Sequence, residues 1–442
     1  MRYLILLMLA LLPLHALAQE EDARKLAPIN HIIVFYLENH SFDNLFGTFP
    51  GADGLANAGD KAIQLDATGK PYATLPPAMN GKDVDARFPT NLPNKPFLIS
   101  QYVSAHEKTG DLIHRFYQNE AQINGGAMNQ FALFTDAGAL TMGYYDEKDS
   151  PIKRYAKAYT LADHFFVGAF GGSFLNHFWL ICGCTPRFDN APDQLKAVLD
   201  DNGKILRDGA LTPDGYAVNT LQPLSAPYDA KASDPTLRLP MQTMATIGDR
   251  LSEKHISWAW YSGGWANADA GKPDSLFIYH HQPFAYFSNY AQGTEGRKAH
   301  LKDETDLVAG IEKGDLPAVT FYKPLGNVDA HPGYARLIES EDHVFDLVAK
   351  IEKSPLWRDS IIIVTFDDTG GFWDHVAPPK GDRFGPGERT PTLIISPFAK
   401  RGFIDHRTYD TTSILKLIES KYGLQPLGER DAKANNLSNA LQ

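Results

Sequence analysis

Five short runs of apolar, mostly β-branched or aromatic residues constrain this chain more than any other feature: residues 31–37 (HIIVFYL), 256–261, 318–322, 361–366 (IIIVTF) and 392–396 (TLIIS). The runs are continuous, not alternating, so the strands they predict are apolar on both faces, the condition of parallel strands covered by helices on both sides. Helical periodicity occupies 241–254, 338–352 and 412–422, and the interleaving predicts an α/β fold with a helix-sandwiched sheet. A 442-residue chain that is 43% hydrophobic and 21% charged can build a large core, which excludes disordered, coiled-coil and fibrous architectures. Segments 51–96 and 200–239 are rich in Pro, Gly, Asn and Asp and lack periodicity. They are expected to be loop-rich insertions or lids on one domain spanning 19–442, not linkers between domains.

The N-terminus sets the expected compartment. Arg2, an apolar run over 4–14 and the small-x-small end Ala16-Leu17-Ala18 predict a signal peptide over 1–18, cleaved after Ala18. The run is too short for a stable membrane anchor, and no later segment is long and apolar enough to supply one. The mature protein is therefore expected in the periplasm or secreted. Forty-two Lys plus Arg against 53 Asp plus Glu, a net charge of −11, argue against nucleic acid as a partner. Cys182 and Cys184 would close a very small ring, and both the bridged and the reduced pair are open. The oligomeric state is open as well.

In a parallel sheet ligands collect beyond the carboxyl ends of the strands, so polar residues directly after a buried run carry weight. Glu38 and Asn39 follow the first run, and Asp367 and Asp368 follow the fourth. Adjacent carboxylates at a strand end repel each other and raise one pKa unless a cation lies between them. The plainer alternative is turn or helix capping. Gly171-Gly172 precede Ser173 at the start of a helical pattern, which holds a hydroxyl at a helix N-terminus where an anion such as phosphate is favoured. Glycine-serine is also a routine helix start, and Leu175 breaks the G-x-S-x-G pattern of lipases and esterases. Among the histidines, His280 and His281 lie in an aromatic loop, His331 follows the third strand and His114 follows an apolar pair. They are candidates to donate to a phosphoryl group and to protonate a leaving oxygen.

Glu38 to Gly47, the continuation Phe49-Pro50-Gly51-Ala52-Asp53-Gly54-Leu55, Gly172 to His177, His280 to Phe284 and Asp367 to Val376 resemble the bacterial phosphoesterase family of phosphocholine-type phospholipases C and AcpA-like acid phosphatases. The resemblance runs from about position 31 to 422. It implies an alkaline-phosphatase-like central mixed sheet between helices and hydrolysis through a phospho-serine on Ser173. It implies one metal ion held by Glu38, Asn39, Ser173, Asp367 and Asp368, with Asn39, Asn176, His114, His280, His281 and His331 binding substrate. Asp374 and His375 take supporting roles. An all-oxygen ligand set favours a hard ion, so iron, manganese, magnesium and calcium are open. The continuation after Gly47 is similar to the acid phosphatase branch, which implies a small phosphate monoester as substrate and an acid pH optimum; a phospholipid head group is the alternative.

Two other classes share parts of this pattern. Cys184-Thr185-Pro186-Arg187 superficially resembles a sulfatase signature, but the arginine falls one position early. A non-catalytic secreted metal-binding protein would leave Ser173 idle.

Overall fold

The computed structural model describes residues 20–442, so the expected signal peptide lies outside the described residues. The central sheet comprises β1 (His31–Leu37), β2 (Thr160–Ala162), β3 (Trp258–Ser262), β4 (Leu301–Asp303), β5 (Val319–Lys323), β6 (Ser360–Phe366), β7 (Thr392–Ile395) and β8 (Phe403–Asp405). Its order is β4-β3-β5-β1-β6-β7-β2-β8. β1 pairs in parallel with both β5 and β6, placing Leu37 beside Phe366 and Phe35 beside Tyr322. The three strands therefore end together, and whatever follows them shares one edge of the sheet.

Continuity of the apolar runs has the expected cause. Ile33, Phe35 and Leu37 enter one hydrophobic core, whereas Ile32, Val34 and Tyr36 enter the other. Helices α1 (Phe42–Phe46), α2 (Ser173–Cys182), α3 (Ile247–Glu253), α4 (Leu337–Lys353) and α5 (Thr412–Tyr422) include those that cover the two faces. Val344, Leu347, Val348 and Ile351 of α4 pack on the first core. Phe174 and Phe178 of α2 pack on the second, with Leu251 of α3 and Ile414 and Ile418 of α5.

Three details differ from the sequence reading. β7 is antiparallel to both neighbours, although its continuous run predicts a parallel strand. A parallel connection needs a crossover, usually helical, and residues 367–391 contain no helix; the chain returns from the edge where β6 ends. The helix expected over 241–254 begins only at Ile247, where Thr246 and Asp249 form a capping box, because Gln242 instead bridges to Phe287. Edge strands β4 and β8, and β2 beside β8, are only three residues long, too short for a periodic signal. Cys182 and Cys184 are disulfide-bonded. The two loop-rich segments form short turns and the small hairpins Met79–Asn80 with Asp83–Val84 and Val198–Leu199 with Ile205–Arg207. No helix among the described residues is long and apolar enough to cross a membrane.

Candidate active site

A cleft of about 450 Å³ opens at the carboxyl edge of β1, β5 and β6. Glu38, His114, Ser173, His280, His281, His331 and Tyr334 line it, and Gly81 and Val218 to Thr220 bring both loop-rich segments to its wall.

Ser173 is the first residue of α2, and the backbone before it is shaped for close approach. Gly171 has φ +85°, and a Cβ there would lie 2.6 Å from Phe116 N; one on Gly172 would lie 2.7 Å from His114 O. Ser173 Oγ–H donates to Asp368 Oδ2 at 2.9 Å, with Asn39 Oδ1 at 3.4 Å. The hydroxyl therefore meets residues following both β1 and β6. A carboxylate at hydrogen-bond distance is a base in place for it.

Glu38 and Asp367 meet through a residue that sequence reasoning did not single out. Lys323 ends β5, and its Nζ lies 2.8 Å from Glu38 Oε1 and 2.9 Å from Asp367 Oδ2. All three side chains are buried. The signal was present, since Lys323 directly follows the 318–322 run as Asp367 follows β6. Asp329 was also missed: its backbone carbonyl accepts from Glu38 N at 2.8 Å, and its Oδ2 is buried without a hydrogen-bond partner. His177, one helical turn after Ser173, stacks on His281 with ring centroids 5.3 Å apart, and its Nε2 is likewise unpartnered.

The charges do not balance. Burial pushes Asp367 well above the usual carboxylate range, and Glu38 and Asp368 push it further while Lys323 opposes them. Burial also raises Asp368. Burial acts on Glu38 too, but His281 and Lys323 outweigh it and hold its carboxyl low. Several buried carboxylates thus face one ammonium, and Asp329 Oδ2 beside them has no hydrogen-bond donor at all. Such a set fits a further cation. Glu38, His280 and His281 also bring one ligand atom each within 4.8 Å of one another, which offers nitrogen donors outside the all-oxygen set.

The histidines differ from one another. Burial lowers His281 to about 4 against the opposing pull of Glu38, whose Oε1 its Nε2 abuts. Burial takes His280 well below its usual range. At His114 burial is outweighed by Asp368 and other acidic neighbours, which raise it, yet Asn39 Nδ2 faces its Nε2 at 3.1 Å. His114 Nδ1 faces Leu112 O at 2.5 Å, which leaves Nε2 as the ring nitrogen turned to Asn39. His331 Nδ1 donates to Pro332 O at 2.6 Å, leaving Nε2 for the cleft, 3.9 Å from Glu38 Oε2.

Asn176, expected from the resemblance to contact phosphate, does not face the cleft. Its Oδ1 accepts from Ala169 N at 2.8 Å and its Nδ2 reaches the carbonyls of Ala169, Gly171 and Gly172, so it fixes the loop before Ser173. Asp374 and His375 lie in a separate buried cluster with Asp43 and Arg389.

The pattern of the Phosphoesterase family matches residues 29–425. The chain belongs to that family. Phosphoesterase relatives include phospholipase C A of Mycobacterium tuberculosis, 25% identical over 90% of this chain and 74% of its own length. The non-hemolytic phospholipase C of Pseudomonas aeruginosa is 23% identical over 90% and 54%. The phosphate-repressible acid phosphatase of Penicillium chrysogenum is 25% identical over 54% and 59%. Among solved structures, a protein in the alkaline phosphatase superfamily from Vibrio parahaemolyticus is similar at TM-score 0.35 and 12% identity, over 86% of this chain and 77% of that one. As a Phosphoesterase member this chain is a hydrolase of phosphoric esters.

Proposed function

We propose that this phosphoesterase is an exported, metal-dependent acid phosphatase that hydrolyses phosphate monoesters through a phospho-serine on Ser173. The observation that carries the reading is the Ser173 hydroxyl, which lies at the cleft, hydrogen-bonded to Asp368 within a carboxylate cluster short of positive charge. Glu38, Asn39, Ser173, Asp367 and Asp368 would hold one hard cation, which when bound polarises the phosphoryl oxygens and stabilises the serine alkoxide. Ser173 Oγ attacks phosphorus in line and passes its proton to Asp368. His331 Nε2, the ring nitrogen left for the cleft, protonates the departing oxygen. His114, His280 and His281 surround the phosphoryl group, and water then cleaves the phospho-serine to release inorganic phosphate. On this reading residues 19–442 act as one unit, since the site draws on residues from Glu38 to Asp368.

A second reading, cleavage of phosphatidylcholine-type lipids, uses the same residues. It is favoured by relatives named phospholipase C that match over 90% of this chain. The experiment is a side-by-side assay of the purified protein on a chromogenic phosphate monoester and on phosphatidylcholine vesicles, with Ser173→Ala alongside. Turnover of the monoester alone supports the phosphatase, and turnover of lipid alone replaces it with the phospholipase. Undiminished hydrolysis by Ser173→Ala would overturn the serine mechanism for both.

A further inference from the structure

We propose that Lys323 sets which divalent ion the carboxylate cluster accepts, by holding one oxygen of Glu38 and one of Asp367 away from bidentate coordination. The inference rests on the reading that places a cation among Glu38, Asn39, Ser173, Asp367 and Asp368.

Strand order puts Lys323 in position. β5 lies beside β1 and β1 beside β6, so the last residue of β5 emerges next to the residues that follow the other two. Lys323 Nζ donates to Asp367 Oδ2 at 2.9 Å and to Leu37 O at 3.5 Å, and stands 2.8 Å from Glu38 Oε1 as an ion pair. The Tyr36 ring closes another side, with its centroid 5.3 Å away. The side chain has no exposed surface and is not part of the cleft lining, so it does not itself touch a substrate. Lys323 is therefore a positioning residue.

The other oxygens are similarly committed. Asp367 Oδ1 accepts from Asp368 N at 2.8 Å, and Asp368 Oδ1 accepts from Gly370 N at 2.6 Å. Carboxylates tied in this way offer single lone pairs, not the open two-oxygen face of a bidentate ligand. Glu38, Asn39, Ser173, Asp367 and Asp368, each giving one oxygen, would make a small ligand set of the kind that magnesium or manganese accepts. Calcium takes six to eight oxygens, often with bidentate carboxylates. A fixed ammonium that contributed only charge would strengthen or weaken all divalent ions alike. One that blocks oxygens changes their ranking.

The test is calorimetric titration of the metal-free full-length protein and of Lys323→Met with Mn²⁺ and Ca²⁺ separately. Methionine keeps the stem and removes the ammonium. The expected result is a preference for Mn²⁺ in the natural protein, with the Ca²⁺ to Mn²⁺ affinity ratio rising about tenfold in the variant, the weight of one charge-assisted hydrogen bond. An unchanged ratio, or a natural protein that prefers Ca²⁺, overturns the role of Lys323 while leaving the metal reading intact. Absence of divalent binding by the natural protein overturns the metal reading and the inference together. If Lys323→Met does not fold, Lys323→Gln reads the same ratio, and Lys323→Arg is expected to keep the natural preference.

Discussion

Two buried clusters in this protein are built from nearly the same residue types and are in opposite states. In one, Arg389 Nε donates to Asp374 Oδ1 at 2.9 Å, and its NH1 group donates to the carbonyls of Asp53 and Asp163, each at 2.8 Å. His375 Nδ1 meets Asp43 Oδ2 at 2.6 Å, and Asp374 also accepts from the backbone of Asp43 and Val376. None of these side chains has a buried polar atom without a partner. In the other, His177, His281 and Asp329 each have one, and several carboxylates share a single ammonium. A buried network whose members satisfy one another holds loops together, and one that leaves ligand atoms facing inward is incomplete without something else. The closed cluster ties α1 and the segment after Asp368 to the sheet, which keeps the open cluster in shape.

The largest expected effect that separates the two is on turnover. Asp368→Asn removes the acceptor of the Ser173 proton and should lower kcat about 10³-fold or more while the protein stays folded. A variant that unfolds instead would make Asp368 a structural residue like Asp374. Next comes Arg389→Met, which leaves buried carboxylates unpaired and should cost about 3–5 kcal/mol in denaturant unfolding. Asp367→Asn, by contrast, removes a carboxylate that burial already disfavours and should leave stability unchanged or higher. Equal losses in both variants would erase the distinction between the clusters. Smaller still is the effect of a divalent ion on thermal unfolding. An ion at a hundred times its Kd should stabilise the natural protein by about 2.7 kcal/mol and Asp367→Asn by much less.

The smallest effect, counted per pH unit, concerns a group that serves the open cluster from outside. Glu388 Oε1 accepts from Asn119 Nδ2 at 2.7 Å, and Asn119 Oδ1 accepts from Gly171 N at 3.1 Å, ahead of Ser173. Burial raises Glu388 from 4.5 to about 8. Since its folded pKa lies above the unfolded one, its stabilising contribution is full below about pH 4.5 and is lost as pH rises through about 8. Across that window it lowers stability by up to about 1.4 kcal/mol per pH unit. Glu388→Gln should flatten this slope in urea titrations between pH 5 and 8, and an unchanged slope would show that Glu388 is ionised in the folded protein.

Much of the candidate site was legible because strand endings are local events. Continuous apolar runs announced strands buried on both faces, and the polar pairs at their ends, Glu38-Asn39 and Asp367-Asp368, stood out against them. Ser173 was legible for a similar reason, since two glycines before a helix start are recorded in the chain itself. The rule that found the pairs applies equally to Lys323. A lysine after a strand nevertheless reads as a solvated end until its neighbours are known, and His177 reads as one more residue of an apolar helix.

The sequence by itself determined the α/β class, the strand-end carboxylates, the serine and the two irregular segments, each a matter of a few consecutive residues. Only the tertiary structure decided the strand order that buries Lys323 between Glu38 and Asp367, the reversal of β7, and the turning of Asn176 into its own loop. It alone brought Asp43 to Arg389, 346 positions away in the chain. These outcomes depend on which distant segments become neighbours, and whether a buried charge finds a partner is settled only by that neighbourhood.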